Sequence, residues 1–466
     1  MVRRSRLFEW ATFLCLLTVL STAITVVVLR SVIDKEDEYP AAWDPRVLEL
    51  TQFVERERGA LFDHPVPVDF LTPEEYSEQT RTDEGMLTEE ERTEIEQFEG
   101  ALRAMGILSG DTDLLDASND LTDSGTLAYY DSAEERVVVR GTEVTPSLAV
   151  TLVHELTHVL QDQVFFLDRY VEGDEEPTSG ETYAFDSLVE GDADRIDRRY
   201  LETLDQAVQE SIDEENAAGL EEFEDAGIPV ALSSLFGSMY GLGDAFVAVL
   251  ESAAGESVDG AFDDPPISEE QVFDPFAYLE SDGPDEVEAP DTDGEEAFDE
   301  GDFGAVSLLI VLAERIDPRA ALAAATGWGG DAFAVFPRDG RTCIQLNVTG
   351  DTPEDTAELE EAVADWVAAV PGDSASTARD GDVVFLESCD PGTTSAAGTG
   401  GSRTAVELAV TRSYVAASAL DEGADVDQAR CFGAAVVDGL SDEELLVDEL
   451  SAASERKVAR FAAGCR

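Results

Sequence analysis

Lysine is almost missing from this chain of 466 residues, in which only Lys35 and Lys457 occur. The 29 basic residues stand against 103 acidic ones, so the formal net charge is −74. Such a chain repels the phosphates of DNA and RNA, which excludes nucleic acid as a partner. The acidic residues are spread along the sequence and repel one another at ordinary ionic strength. We therefore predict a protein adapted to concentrated salt. A surface that collects cations is the alternative interpretation.

Cysteine is also scarce, with five residues. Cys15 lies in an apolar run near the N-terminus, and the other four lie in the last third of the chain. Four cysteines in an oxidising compartment can pair in three ways. We predict Cys343–Cys389, because both lie in or beside strand-like runs, and Cys431–Cys465, because both lie in helical runs. A structural zinc site is the alternative, but no Cys-x-x-Cys spacing supports it.

An uncharged and mostly apolar run near the N-terminus is long enough to cross a bilayer as a helix. Three arginines precede it, and an acidic segment, residues 34–38, follows it. This asymmetry predicts a signal anchor at residues 11–30, with residues 1–10 in the cytoplasm and the rest of the chain outside the cell. The expected location is the cell membrane, crossed once. A cleaved signal peptide is the alternative.

Histidine is the third scarce residue: the chain has three, and two of them fall in the stretch TLVHELTHVLQDQ. Thr145 and Pro146 are suited to begin a helix just before it. On such a helix, His154 and His158 lie one turn apart on one face, where both imidazoles can bind one metal ion. Glu155 lies beside them and can act as a general base. The spacing therefore predicts a zinc site, against the alternative of a chance match to a short pattern.

A third zinc ligand is predicted on a second helix that contains the letters LVEGDAD. Glu190 and Asp194 lie one turn apart on one face of this helix. Glu190 can therefore bind the metal while Asp194 accepts a hydrogen bond from a ligand histidine. A glycine at position 191 weakens the helix by about 1 kcal/mol relative to alanine. We predict that it is needed there because this helix packs closely against the metal helix. Asp192, or Asp162 on the metal helix, is a weaker candidate held in reserve for the third ligand, and a solvated acidic face is the alternative interpretation.

The rest of the sequence predicts an α+β protein with short strands among helices. Segments 127–130 and 136–140 are predicted to form a hairpin. The strand nearest the metal helix is expected to offer its free edge to a peptide, and an ordinary buried hairpin is the alternative. His64 precedes a proline in a predicted loop, and we interpret it as a solvated histidine.

Composition also predicts the domain organisation. The metal-binding domain is predicted at residues 31–302 and ends in an acidic, flexible surface insertion at 280–302. Residues 303–390 predict a small antiparallel sheet with a helix, packed on that domain as an accessory region. A Gly/Ser/Thr linker at 391–403 and a helical tail at 404–466 are predicted to complete the chain.

The motif HELTH, followed on a second helix by Glu190 and Asp194, resembles the gluzincin clan of zinc metallopeptidases. More closely, the chain resembles a family of membrane-anchored or secreted metallopeptidase-like proteins of archaea and actinobacteria. The letters YYD, VVR, HVLQDQ and LVEGDA carry this resemblance, and YGLGDAFV, PPISEEQ and GWGGD further along also match. It covers roughly residues 49–389. The sequence departs from it at Asp274, where the family often has a histidine.

The resemblance implies a zincin-like fold behind the membrane anchor and a peptide or protein substrate. Zinc would be bound by His154, His158 and Glu190, and Glu155 would take the proton of the attacking water. Tyr240, which begins a glycine-rich segment, is the candidate to stabilise the oxyanion, and a core tyrosine is the alternative. Two other functions fit the same sequence. One is an inactive ectodomain that binds peptide or a cell-surface polymer, and the other is a zinc hydrolase that acts on a cell-envelope component.

The charge imbalance makes a direct prediction. We expect the part of the chain outside the membrane to fold only at high ionic strength, because roughly 1 M salt shortens the Debye length to about 3 Å and screens the acidic surface. Circular dichroism across a salt series measures this. A full native signal in dilute buffer would contradict the interpretation as a salt-adapted protein.

Overall fold

The computed structural model describes residues 39–465 except 83, 111, 126, 168–176, 226, 373 and 446–449. The predicted cytoplasmic segment and membrane anchor, residues 1–30, lie outside the described part. Among the described residues, one helix, Val230–Ser252, is long and apolar enough to cross a bilayer, and it lies mostly buried inside the protein. The chain is α+β, as the sequence predicts.

The helices are numbered here in chain order. They are α1 (Leu48–Arg58), α2 (Pro73–Thr80), α3 (Glu89–Met105), α4 (Leu114–Gly125), α5 (Pro146–Phe165), α6 (Ser179–Thr203), α7 (Gln206–Asp225), α8 (Val230–Ser252), α9 (Val258–Asp263), α10 (Glu269–Phe273), α11 (Pro275–Glu280), α12 (Ala305–Ala313), α13 (Pro318–Thr326), α14 (Pro353–Ala369), α15 (Gly401–Asp421), α16 (Val426–Gly439), α17 (Asp442–Leu445) and α18 (Ala452–Gly464). The strands are β1 (Val68–Leu71), β2 (Ala128–Asp131), β3 (Arg136–Arg140), β4 (Asp299–Gly301), β5 (Trp328–Arg338), β6 (Arg341–Gly350), β7 (Ala375–Asp380) and β8 (Val383–Cys389).

The predicted metal helix is α5, and its start is the one that the sequence predicts. The side chain of Thr145 accepts a hydrogen bond from the backbone N–H of Leu148, and Pro146 occupies the first turn. Residues 147–161 of this helix are all buried. A helix that is buried all round cannot show a one-sided apolar stripe, so its position was indicated by its caps and its motif.

A three-stranded sheet lies against α5, with the strand order β1-β3-β2. β1 runs parallel to β3, and β2 runs antiparallel to β3, as the predicted hairpin requires. Val137 and Val139 of β3 share a hydrophobic cluster with Leu152 and Leu156 of α5. The strand that directly precedes the metal helix is therefore the central strand of the sheet. The two edge strands are β1 and β2, and β2 is the one that bonds to α5 through Glu155.

A larger core joins α6 and α8 to the second half of the chain. The nine-residue helix α12 has the sequence AVSLLIVLA and lies in this core with α6, α8, α13, α14 and α15. Leu188 of α6, Leu309 of α12 and Val384 of β8 belong to the same cluster. The predicted boundary near residue 302 therefore does not separate two cores. The residues after it pack on α8, which in turn packs on the helix that carries Glu190.

The second sheet is antiparallel throughout and has the order β4-β5-β6-β8-β7. Ile344 of β6 clusters with residues of α3, and Leu346 of β6 clusters with residues of α14. Because the two residues lie two positions apart on one strand, both helices lie on the same face of the sheet. The opposite face carries Cys343, in a cluster with the half-buried Ala297. The acidic stretch 280–302, which composition predicted as a flexible insertion, therefore lies partly against this sheet, and its end forms the edge strand β4.

The stretch 391–403, predicted as a linker, is also held in place. The backbone N–H of Gly110 donates to the carbonyl of Ser395, and that of Gly398 donates to the carbonyl of Gly106. The Glu314 carboxylate accepts from the backbone N–H groups of Gly400 and Ser402 at the start of α15. A Gly/Ser/Thr composition allows flexibility but does not require it when backbone groups find partners.

Both predicted disulfides are confirmed. Cys343 pairs with Cys389 across the neighbouring strands β6 and β8. Cys431 of α16 pairs with Cys465, which directly follows α18. The second bond ties the end of the chain to the helical region that precedes it.

Gly191 has a packing reason, but its partner differs from the predicted one. A methyl group at this position would collide with the carbonyl of Gly243, and a methyl group on Gly243 would collide with the carbonyl of Ser187. The close approach therefore joins α6 to α8, and the prediction that Gly191 packs against the metal helix is wrong. Two facing glycines let the backbones of α6 and α8 come closer than any side chain would permit.

We predict that Gly191→Ala lowers the free energy of unfolding by about 1–3 kcal/mol or more, because backbone atoms have no room to yield. Gly464→Ala is the matched control, since nothing lies within 4 Å of the added methyl group. In a helix the control should be neutral or stabilising by up to about 1 kcal/mol. Denaturant titration in high salt measures both. Equal stability of the two variants would show that α6 and α8 can separate at no cost.

Candidate metal centre

Helices α5 and α6 bring three donor atoms to one point. The Nε2 atom of His154 lies 3.0 Å from Oε2 of Glu190, and Nε2 of His158 lies 3.3 Å from the same oxygen. These three atoms all lie within 4.8 Å of one another. The two imidazole rings are nearly perpendicular, at 84°. The sequence-predicted ligands are therefore neighbours in space, and all three residues are buried.

The other nitrogen of each imidazole faces a hydrogen-bond acceptor. Nδ1 of His154 lies 3.2 Å from Oδ1 of Asp194 and 3.3 Å from Oδ2 of Asp197. Nδ1 of His158 lies 2.9 Å from Oε1 of Gln161. When the single proton of a neutral imidazole lies on Nδ1, it is donated to these acceptors. In the neutral imidazoles both Nε2 atoms are then lone-pair acceptors, and they point at the carboxylate of Glu190.

Three acceptors that face one another in a buried place repel unless a cation lies between them. The pKa values of the metal-free site reflect the same requirement for positive charge. Burial would raise the pKa of Glu190, but the charge of His158 and the hydrogen bonds of both imidazoles lower it to about 2. Burial would lower the pKa of His158, but Glu190 raises it. Without a metal ion, a proton on an imidazole supplies the positive charge.

Glu155 lies beside this group and is not part of it. Its Oε2 accepts a hydrogen bond of 2.8 Å from the backbone N–H of Tyr130 on the edge strand β2. Burial raises its pKa, the two imidazoles oppose this rise, and Glu190 adds to it. A carboxylate whose pKa is raised towards neutrality accepts and releases a proton more readily near pH 7 than an ordinary one.

Tyr130 also makes a second contact with α5. Its hydroxyl donates a hydrogen bond of 2.8 Å to Oδ2 of Asp162. Asp162, a reserve candidate for the third ligand, is therefore engaged with β2. Asp192, the other reserve candidate, forms ion pairs with Arg58 and Arg195. Neither of them belongs to the groups that can hold a metal ion among the described residues.

Tyr240 and His64 are the remaining residues that the sequence analysis singled out. Tyr240 is fully buried on α8 in a small cluster with Met239 and the half-buried Tyr183. The role of Tyr240 as oxyanion stabiliser therefore stays a prediction. His64 stacks on Tyr39 with ring centroids 3.5 Å apart and lies 3.5 Å from a carboxylate oxygen of Glu135. It is partly buried, whereas the sequence predicts a solvated loop histidine.

Asp197 is the site residue that sequence reasoning missed. It lies seven residues after Glu190 and three residues after Asp194 on the same face of α6, and this spacing is the signal that could have found it. His154, Asp194 and Asp197 form a second group whose ligand-type atoms lie within 4.8 Å of one another. Two carboxylates therefore compete for one imidazole N–H.

Comparison with known proteins adds one finding. A family model described as a domain of unknown function (DUF8575) matches residues 293–427. This segment runs from just before β4 to the start of α16 and contains all five strands of the second sheet, with no residue of the candidate metal centre. The search of curated proteins found no match. The search of solved structures found no match either.

The buried carboxylate of Asp194 should make stability depend on pH. Burial raises its pKa to about 7, against the hydrogen bond and charge of His154. An unfolded aspartate has a pKa of about 3.9, so between roughly pH 4 and 7 the folded state holds more protons than the unfolded state. The free energy of unfolding then falls as the pH rises through this window.

We expect Asp194→Asn, in metal-free protein, to flatten this fall between roughly pH 4 and 7, because the amide does not titrate. Denaturant titration at several pH values, in high salt with a chelator, measures the slope. Asp380→Asn on the exposed edge strand β7 is the control and should keep the slope of the wild type. Parallel slopes for the Asp194 variant and the wild type would contradict the raised pKa.

Proposed function

We propose that this chain is a membrane-anchored, extracellular zinc-dependent peptidase with Glu155 as its general base. The observation that carries the proposal is the convergence of His154, His158 and Glu190 beside a fourth group, Glu155, which is held separately. An inactive scaffold needs no carboxylate poised next to a metal site. A hydrolase does.

The donor set suits zinc. Two imidazole nitrogens and one carboxylate oxygen are the protein ligands of catalytic zinc sites that keep one position open. Bonds of about 2.0–2.1 Å in a tetrahedral site place ligand atoms roughly 3.3 Å apart. The separations of 3.0 and 3.3 Å between Glu190 and the two imidazoles are close to this value.

Zinc, when bound, would polarise the substrate carbonyl and lower the pKa of water at the site. The residues of the chain supply the proton transfers. Glu155 accepts a proton from the attacking water and passes it to the nitrogen of the leaving amine. The N–H of Tyr130 fixes Oε2 of Glu155, which leaves Oε1 to receive that proton.

Strand β2 supports peptide as the substrate. The N–H of Arg140 donates to the carbonyl of Leu127 across the β2–β3 pair. Because ladder bonds alternate in antiparallel pairs, the N–H and C=O groups of Ala128 and Tyr130 then point to the outer edge, where the N–H of Tyr130 is already bonded to Glu155. An extended peptide can add to such an edge next to Glu155.

The extracellular, membrane-anchored part of the proposal rests on the apolar run at residues 11–30 and on the two disulfides, which form outside the reducing cytosol. The main alternative is an inactive ectodomain that binds peptide or a surface polymer. It shares the fold and the edge strand with the peptidase, so only metal content and hydrolysis separate the two.

Three substitutions test the assigned roles by metal analysis before any substrate is known. Glu155→Gln should keep zinc and lose roughly 10²–10⁴-fold in rate, the usual contribution of a positioned acid–base group. Glu190→Ala should lose the metal itself, because two histidines alone rarely hold zinc. Asp194→Ala should weaken zinc binding by about 10–100-fold, because it removes one partner of the His154 N–H.

Glu202→Ala, an exposed glutamate on the same helix as Glu190, is the control and should change neither metal content nor rate. A Glu190→Ala protein that still carries one tightly bound zinc would overturn the assignment of the ligands. Wild-type protein that binds zinc but cleaves nothing in a mixed peptide library, in high salt, would favour the binding ectodomain.

A further inference from the structure

His158 is held by Gln161, which lies three residues later on α5. Nδ1 of His158 and Oε1 of Gln161 are 2.9 Å apart, and Gln161 is fully buried. A glutamine amide has one end that accepts and one end that donates hydrogen bonds. The end that faces the imidazole therefore decides which of its nitrogens carries the proton.

The surroundings of Gln161 determine which end that is. Its Nε2 donates one hydrogen bond of 2.9 Å to the carbonyl of Val189 and another of 2.9 Å to Oδ2 of Asp192. A carbonyl and an ionised carboxylate can only accept. If the amide were turned round, its oxygen would face both acceptors in a buried place. The oxygen of Gln161 therefore faces His158, and the imidazole must donate from Nδ1.

Asp192 stays ionised because two arginines hold it. Nε of Arg58, on α1, lies 2.7 Å from Oδ2 of Asp192, and Nε of Arg195 lies 3.1 Å from Oδ1. The Arg58 side chain is 4% exposed and lies beside the rings of Phe165 and Phe262. A continuous set of hydrogen bonds therefore runs from Arg58 through Asp192 and Gln161 to His158.

We propose that Gln161 is a positioning residue that keeps the proton of His158 on Nδ1 and so directs Nε2 towards Glu190. Arg58 and Asp192 hold Gln161 in the orientation that this requires. The role of Nε2 as a metal ligand rests on the proposed function. The position of the proton on the imidazole does not.

The test compares three substitutions on α5. Gln161→Met keeps the volume but removes the acceptor that faces Nδ1. Gln161→Glu keeps an oxygen there and, because burial beside Asp192 favours the protonated acid, still offers an O–H donor in place of the amide nitrogen. Gln163→Met is the matched control, because the Gln163 amide bonds the backbone of Asp63 and His64 and lies next to no ligand.

Two measurements are made on full-length protein in high salt. Zinc dissociation constants are obtained by competition with a chelator. Nitrogen-15 spectra of labelled histidine, recorded across a pH series that separates the neutral imidazole from the imidazolium, then report which ring nitrogen of neutral His158 is protonated. The chain has only three histidines, so the signals can be assigned by substituting His64 and His154 in turn.

We expect Gln161→Met to lose the protonated Nδ1 signal of His158 and to weaken zinc binding by about 10–100-fold. Gln161→Glu should keep the signal and bind zinc within a few-fold of the wild type, and Gln163→Met should match the wild type in both. Both Gln161 variants disturb the contacts with Val189 and Asp192, so a merely structural role would affect them alike.

A Gln161→Met protein with the wild-type signal and zinc affinity would overturn the proposal, as would equal losses in the Met and Glu variants. If Gln161→Met does not fold, the spectrum of Gln161→Glu decides alone, since loss of its Nδ1 signal contradicts the proposed acceptor. Wild-type protein that binds no zinc would contradict the proposed function, while the spectra of the metal-free variants would still decide the role of Gln161.

Discussion

The structure around α5 and α6 depends on one constraint, which is that buried carboxylates must be neutralised in a chain with almost no lysine. Each carboxylate meets this requirement differently. Asp192 pairs with Arg58 and Arg195, Glu155 accepts a backbone N–H, and Asp194 faces the imidazole of His154. Among the described residues, Glu190 faces the imidazoles of His154 and His158. Those rings present lone pairs when they are neutral, so the charge of Glu190 is balanced when an imidazole carries a second proton or when a cation lies between the three groups.

The sequence predicts the contacts within each helix well and the contacts between helices poorly. Helical spacing brings His154 next to His158, and the N-terminal cap of α5 is visible in its letters. The partner of Gly191 was mistaken because helical periodicity does not say which neighbour a face meets. The link from Gln161 to Arg58 spans 103 residues and has no local signal. The proximity of Glu190 to both histidines was predicted from motif resemblance, and the structure shows it independently.

The elements that sequence reasoning missed have a common cause. Strand β7, with the letters ASTARD, is an exposed edge strand without an apolar alternation. Strand β4 is acidic and fully exposed, and it is defined by its pairing with β5. The residues of both strands carry little strand propensity of their own, and β7 is stabilised by β8, which directly follows it. Strand β4 is stabilised by a neighbour distant in sequence. The same applies to residues 391–403, whose partners lie near residues 106–110 and at Glu314.

Helix α6 is one continuous helix, a single rigid rod of 25 residues, and it carries Glu190, Asp194 and Asp197 in this order along one face. The first of these converges on the imidazole nitrogens, and the other two orient one of the same rings. Further along, Arg198 of the rod contacts Asp244, which in turn contacts Tyr414 of α15. A rotation or slide of the rod would thus displace a donor and the support of its neighbour by the same amount and in the same direction. A displacement of α6 therefore moves all three carboxylates together, so the candidate metal centre is either assembled completely or lost completely.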